Sequence, residues 1–493
     1  MYYEPYDTSC VPKTWNISDD LGQIEYVFSD KTGTLTQNIM EFQRCSINGV
    51  AYGEGVTEAQ RGAATREGKP GALDPIELKD KMASLKQQMI AIMERTFKNR
   101  YMQPDKLTLV SPKFAEHLAD KSSEQKQRVI AFFRALALCH SVLAEKSDPT
   151  TDPYLTNYKA ESPDEAALVA AARDVGFPFV GKSKDTLEIE VMGQSEKYTL
   201  LKMLEFNSTR KRMSVLVRAP DGRIILYCKG ADSVIYERLA KDHDPVLKEQ
   251  TSKDLEMFAN TGLRTLCISY RYVDEEEYLT WSRLFDIAAN AIENREEEMD
   301  KANAMIEHSL YILGATALED KLQEGVPEAI EMLHRAGIKL WILTGGIVSH
   351  SPKIFSDRVV GDKLQTAIEI GYSCNLLKQG MDVMILSATS HEQARVQIEV
   401  GLNKIASVLG PPSWDPRKRG FVPGAQASFA VVIDGETLRY ALSADLKPLF
   451  LNLGTQCETV VCCRVSPAQK ALTVNLVILS YCIHEGGLII PNR

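Results

Sequence analysis

IEYVFSDKTGTLTQN, residues 24–38, is a short apolar run that breaks abruptly into a glycine- and threonine-rich turn. Ile24 to Ser29 carries the β-favouring residues of a buried parallel strand, which delivers Asp30 to its carboxyl end. Gly33 permits a tight turn whose backbone N–H groups can face an anion; Lys31 adds positive charge, and the hydroxyls of Thr32 and Thr34 add donors. A lone aspartate there would read as a polar strand terminator. The full seven-residue DKTGTLT reads instead as a carboxylate nucleophile inside a phosphate cradle.

Working outward, Val326, Ile330 and Leu333 mark a helix stripe that Gly337 ends, and Ile338 to Leu343 form a strand opening into Thr344 and Gly345. Phe429 to Ile433, followed by Asp434, and Thr459 to Cys463 are two further strands; Ser466 then caps a helix that starts at Pro467. Strand and helix alternate as a doubly wound parallel sheet requires. Between these halves the pattern changes. Residues from about 76 to 140 read as helices with a bulky apolar end at Phe132, Phe133 and Leu136. From Leu187 the period becomes two, through Leu187, Ile189 and Val191, then Met213, Val215 and Val217, ahead of a Pro220-Asp221-Gly222 turn. The expected organisation is an α/β domain split into 1–50 and 311–493, with an antiparallel α+β domain inserted over 51–310. A Pro- and Gly-rich linker is expected at Gly410 to Gly424, and no internal repeat is apparent.

At 493 residues the chain can hold two or three domains. A formal net charge of −9 gives no electrostatic reason to expect a nucleic-acid partner. Ten cysteines without a CxxC pair suggest neither zinc nor a disulfide framework. The first residues lack a basic segment followed by an apolar core, and the apolar stretches fall short of the roughly 18 to 20 residues that span a bilayer, so a soluble, cytosolic chain is expected.

DKTGTLT resembles the phosphorylation signature of P-type ATPases, whose catalytic domain is a haloacid-dehalogenase-like α/β fold. In soluble phosphatases of that fold the residue two after the nucleophile is usually a second aspartate serving as general acid and base; Thr32 stands there instead and cannot abstract a proton from water at neutral pH. An aspartyl phosphate on Asp30 should therefore persist, which suits a pump and counts against a soluble phosphatase. Other blocks fit the same family. KGAD supplies Lys229, which the resemblance sets beside the nucleotide. FNSTRKRMSV supplies Phe206, which by resemblance stacks on adenine, with Ser208 and a basic cluster alongside. ESPDEAALV supplies Glu165 and GLRTL supplies Arg264. Singly each has a plainer reading: Phe206 as core, Arg210 to Arg212 as solvated surface, Arg264 as a salt-bridge partner. In the return half the resemblance assigns Thr344 and Gly345 to the phosphoryl oxygens, and CRVSPAQK gives Arg464 and Lys470, the latter neutralising charge on Asp30 and its phosphate.

SPDEAALV, EFNSTRKRMSV, YCKGADSVIYERL and LGATALEDKLQEGVPEAI resemble the phospholipid flippase class of P-type ATPases, and the opening segment resembles flippases of fungal type. Membership implies ATP and Mg²⁺ as cofactors, with Asp30 and the Thr32 carbonyl as metal ligands. It also implies a phospholipid as the transported substrate, a small transmembrane accessory subunit, and a full-length parent in Golgi, endosomal or plasma membrane. Two features depart from the family pattern. Thr-Gly is normally followed at once by Asp, but here Gly346 to Gly361 intervene, which makes Asp362 the displaced aspartate. After Lys470 the chain reads KALTVNLVILSYCIHEGGLIIPNR, and the family's GDGxND appears nowhere. Both the 346–361 insert and the 478–493 tail read as atypical, as translated intron or gene-model error, because each interrupts an otherwise continuous match. The expectation is a transport-incompetent core, with a non-catalytic nucleotide-binding fragment as the alternative.

Overall fold

The computed structural model describes residues 2–3, 7–9, 11, 22–68, 75–146, 154–207, 210–345, 364–409 and 428–484. The 346–361 insert, the 410–424 linker and the end of the tail lie outside them. The chain forms two compact units. One comprises Met1–Lys31, Glu324–Gly345 and Cys374–Arg493; the other comprises Thr32–Gln323 and Gly346–Ser373.

The first unit is built on a five-stranded sheet ordered Asp382–Leu386, Phe429–Asp434, Thr459–Val465, Lys339–Gly345 and Tyr26–Ser29. All four strand pairs are parallel. The expected strands are all present, and one strand of the sheet, Asp382–Leu386, was not anticipated. Trp341, fully buried in the interior Lys339–Gly345 strand, organises the core: its ring lies 5.7 Å from Phe28 and 6.2 Å from Phe450 by centroid. Gly454 lets the Lys447–Gln456 helix approach it, since a Cβ there would sit 2.7 Å from the indole. The Val326–Arg335 helix ends as expected, with Gly337 at φ 78° and the Ile338 N–H returning to the Leu333 carbonyl at 3.0 Å.

The second unit carries a nine-stranded sheet ordered Val50–Tyr52, Thr36–Ile47, Tyr311–Leu322, Arg264–Val273, Ile224–Gly230, Arg212–Arg218, Gln194–Leu204, Thr186–Val191 and Phe179–Ser183. Every neighbouring pair is antiparallel. Both faces are covered. Met213, Val215, Val217 and Tyr227 pack under the helices that carry Phe114, Phe132 and Phe133, whereas Leu216, Leu226 and Cys228 pack against Trp281, Phe285 and Ile306. The alternation expected along Arg212–Arg218 thus does not separate core from solvent, because both sets of side chains are buried.

The sheet extends beyond 51–310. Thr36–Ile47 and Tyr311–Leu322, expected in the α/β domain, pair with each other inside it. The helix Leu364–Ser373, also expected there, packs instead on the helix Glu58–Arg66. Gly62 makes the contact possible, because a Cβ there would stand 1.7 Å from the Glu369 carbonyl oxygen; Arg66 pairs with Glu369 at 2.7 Å, and the Ser373 hydroxyl donates to Glu58 at 2.8 Å.

Candidate active site and nucleotide site

In the parallel unit, the functional groups collect where such sheets present them, at the carboxyl ends of the strands. Asp30 follows directly on the Tyr26–Ser29 strand. Its Oδ1 accepts the Lys31 backbone N–H at 2.8 Å, and its Oδ2 accepts a charged hydrogen bond from Lys470 Nζ. The chain then turns through Thr32 (φ −73°, ψ 124°) and Gly33 (φ 77°, ψ 0°), a type II turn whose third position calls for glycine. Lys31 is buried, and its backbone N–H donates to Asp30.

Lys470 is aimed by the start of its helix. Ser466 and Gln469 form a reciprocal capping box, the Gln469 N–H donating to Ser466 Oγ at 3.2 Å and the Ser466 N–H to Gln469 Oε1 at 2.8 Å. Gln469 Nε2 also donates to the Gly435 carbonyl at 2.6 Å, so the first turn is tied to the neighbouring strand end. Gly345 lies beside the same ammonium, 3.5 Å from the position a Cβ would take. Asp30, Gly345 and Lys470 are therefore brought together, with Thr344 buried one residue earlier on the strand next to that of Asp30. Arg464 occupies a left-handed conformation (φ 57°) where the strand register slips between Leu343 and Gly345. Its carbonyl approaches Gly435 so closely that a Cβ there would sit 2.2 Å away. Asp362 lies outside the described residues.

In the antiparallel unit, Lys229 near the end of the Ile224–Gly230 strand points its ammonium at Glu165 Oε1, 2.5 Å away. The other carboxylate oxygen accepts from the Ser141 hydroxyl at 2.5 Å and the Ser141 N–H at 3.2 Å. Burial pushes the Glu165 carboxyl upward, but Lys229 and Ser141 outweigh it and hold it below the usual range. His140 lies against this pair. Its Nδ1 accepts the Val142 N–H at 3.1 Å, so its Nε2 carries the proton and donates to the Ala137 carbonyl at 2.9 Å. Burial and then the Lys229 charge lower its pKa to about 4, which keeps the ring neutral.

Glu165 and its neighbour Asp164 open the Pro163–Asp174 helix and reach two cations: Asp164 Oδ1 lies 3.4 Å from Arg264, which also stands 3.9 Å from Asp320. Phe206 is about half exposed and so is not a core residue. Ser208 lies outside the described residues. Arg210 and Arg212 are buried on Glu307, contrary to the solvated-surface reading. Ser141, His140, Asp164, Asp320 and Glu307 were not anticipated; only Asp164, adjacent to Glu165 in SPDE, carried a local signal. Among the described residues no cluster of three or more His, Cys, Asp or Glu side chains is placed to hold a metal, and no helix is long and apolar enough to cross a membrane.

Residues 128–325 match the family model described as P-type ATPase, cytoplasmic domain N. The chain is 47% identical over 487 residues to phospholipid-transporting ATPase DNF1 of Chaetomium thermophilum, with 97% of this chain and 30% of that protein covered. It is 47% identical over 482 residues to phospholipid-transporting ATPase dnf2 of Schizosaccharomyces pombe, covering 97% of this chain and 33% of the relative. Against the probable phospholipid-transporting ATPase 11 of Arabidopsis thaliana the identity is 39% over 495 residues, covering 97% and 38%. The chain thus spans about a third of the length of the curated relatives it matches. A parallel α/β unit, an antiparallel unit that the N-domain model matches in part, and identity running along 97% of the chain make it similar to about a third of the length of the phospholipid-transporting ATPases named above.

Proposed function

We propose that this chain is the phosphorylation and nucleotide-binding portion of an ATP-driven phospholipid translocase, and that Asp30 becomes phosphorylated. The observation that carries the reading is Asp30 itself, held at a parallel strand's carboxyl end with the Lys470 ammonium on one carboxylate oxygen. One Asp30 oxygen attacks the γ-phosphorus of ATP in line; the new O–P bond forms as the bond to the β,γ-bridging oxygen breaks, and ADP leaves. No proton has to move in this step. Lys470 pairs with the Asp30 carboxylate and then balances the charge of the phosphoryl group, with the Gly345 strand end beside it. Because Thr32 replaces a second aspartate, no side chain at that position activates water, and the acyl phosphate persists.

Lys229, Phe206 and Arg264 are the groups proposed to hold the nucleotide in the antiparallel unit. Mg²⁺ fits only modestly: Asp30 offers one hard carboxylate, the described residues offer no acidic cluster, and a magnesium ion completes its shell with phosphate and water. When bound it neutralises phosphate charge. For the whole protein the proposed substrate is a membrane phospholipid, the proposed partner a small membrane-embedded subunit, and the proposed location of this portion the cytosolic side.

The test is phosphate incorporation from γ-labelled ATP into an acid-stable, hydroxylamine-sensitive adduct. The expected result is labelling of the unaltered chain and none of Asp30→Asn; equal labelling of the two refutes the assignment. Nucleotide binding without turnover is the second reading, favoured by the sixteen residues between Gly345 and Asp362; ATP binding with no adduct in either protein selects it.

A further inference from the structure

Phe206 presents an exposed aromatic ring from a short connection between two strands, yet the backbone on either side of it is tied down. Arg210 Nη1 donates to the Glu205 carbonyl at 2.7 Å; the Arg210 N–H donates to Asn207 Oδ1 at 2.6 Å; the Lys211 N–H donates to the Asn207 carbonyl at 2.9 Å. Asn207 Nδ2 donates in turn to Asp300 at 3.1 Å. The guanidinium at the centre of this arrangement is itself buried, and a buried cation needs a buried anion. Glu307 provides it. Fully enclosed just beyond the Arg295–Ile306 helix, its carboxylate takes Arg210 Nη2 at 2.5 Å, Arg212 Nε at 2.6 Å and the Ser214 hydroxyl at 2.5 Å.

From this geometry we infer that Glu307 is a positioning residue for the nucleobase: by anchoring Arg210 and Arg212 it holds the Glu205–Asn207 connection so that Phe206 stands as a fixed stacking platform. The inference rests on the nucleotide reading above. It assigns Glu307 to base recognition and not to phosphate recognition: the Lys229 strand pairs with Arg212–Arg218 through its backbone, but the Lys229 ammonium is held by Glu165, and the Glu307 carboxylate holds Arg210, Arg212 and Ser214. An aromatic ring on an anchored backbone stacks on a base without first losing loop entropy; one on a loose backbone does not.

The experiment compares equilibrium binding of ATP, CTP and inorganic tripolyphosphate to the full chain and to Glu307→Gln, Glu307→Asp and Phe206→Ala. Thermal melts accompany the binding curves. Phe206→Ala is expected to weaken ATP about tenfold, the scale of one base–aromatic stack. Glu307→Gln should approach that loss and its preference for ATP over CTP should shrink, while tripolyphosphate affinity is unchanged; Glu307→Asp, which keeps the charge, should recover part of the loss. Should Glu307→Gln fail to fold, Arg210→Lys, which keeps a cation on Glu307 but releases the Glu205 carbonyl, is read the same way. Equal losses of ATP and tripolyphosphate affinity, or no loss in a folded variant, overturn the positioning role alone. An unaltered chain that does not bind ATP, or whose affinity is indifferent to Phe206→Ala, overturns the nucleotide reading and this inference with it.

Discussion

Replacing Lys229 with methionine tests the electrostatics of the antiparallel unit most directly. The ammonium sits 2.5 Å from a Glu165 side chain that is only 14% exposed. Its removal leaves a carboxylate whose remaining partners are the hydroxyl and N–H of Ser141. Breaking a buried pair costs about 3–5 kcal/mol, and the two retained hydrogen bonds put the loss at the lower end, about 3 kcal/mol at pH 7. The sign of the pH dependence follows from the shift. In the unaltered chain the folded carboxyl lies below its ordinary 4.5, so Glu165 contributes stability that is present above about pH 4.5 and fades as pH falls through the folded value. In Lys229→Met burial dominates, the folded carboxyl rises above 4.5, and the group opposes folding at pH 7 until it is protonated. The gap between the two proteins should therefore narrow as pH falls from 7 toward 4.5. Because the chain has two units, one global transition is not a safe measure, and exchange of the amides of Ile224–Gly230 reads the unit concerned. A gap that stays constant with pH, or a Glu165→Leu/Lys229→Met double variant as unstable as the sum of the singles, refutes the reasoning.

Lys470→Met should abolish labelling of Asp30 while leaving ATP binding intact, since that lysine belongs to the acceptor site; labelling within threefold of the unaltered chain would contradict it. Gly62→Ala should separate the Glu58–Arg66 and Leu364–Ser373 helices, because its methyl group meets a backbone carbonyl; a loss of about 1–3 kcal/mol in protection of residues 364–373 is expected, and unchanged exchange there would remove the idea. His140 and His334, one in each unit, are both depressed to about 4 by burial first and a nearby lysine second. Each is a base with a lowered folded pKa, so its share of stability is present above about pH 6.5 and is lost on the way down to about pH 4. At pH 5 that loss is about 2 kcal/mol per histidine, and urea unfolding at pH 7 and pH 5 should show it in both units, with His334→Asn flattening it in the parallel unit alone.

Four of the five parallel strands, all but Asp382–Leu386, were legible because each is a short apolar run closed by a chemically distinctive residue: Asp30, Thr344, Asp434, or Ser466 one residue past the strand. Ser466 also announced its cap. The extent of the nine-stranded sheet was not legible, since Tyr311–Leu318 is a nearly continuous apolar run of the kind a parallel strand shows. Here the run arises because an antiparallel sheet is covered on both faces, and burial on both faces erases alternation whichever way the neighbours point. The plainer reading of Arg210 and Arg212 as solvated surface fails for a related reason. A cluster of cations looks solvated in any local window, and the carboxylate that lets it be buried stands 97 and 95 residues away. The Lys229–Glu165 pair, 64 residues apart, is just as invisible to spacing; only the resemblance joined those two residues.

That pair has a consequence which separates the two lysines. Lys470 pairs with Asp30, the group that gains charge under the proposed phosphorylation, so on that proposal its partner strengthens as the reaction proceeds. Lys229 is neutralised by Glu165, which must share the ammonium with any incoming phosphate. Even with the screening of bulk water, opposite charges 2.5 Å apart attract by about 1.7 kcal/mol, so Glu165 is a standing competitor of that size at least. Glu165→Gln removes the charge and keeps an acceptor for Ser141. Tripolyphosphate, which has no base to stack, should then bind about tenfold more tightly, with a steeper salt dependence because the freed ammonium now meets phosphate alone. Weaker binding of tripolyphosphate by Glu165→Gln would mean that the carboxylate holds Lys229 in its productive position more than it competes for the charge, and the competition argument would fail.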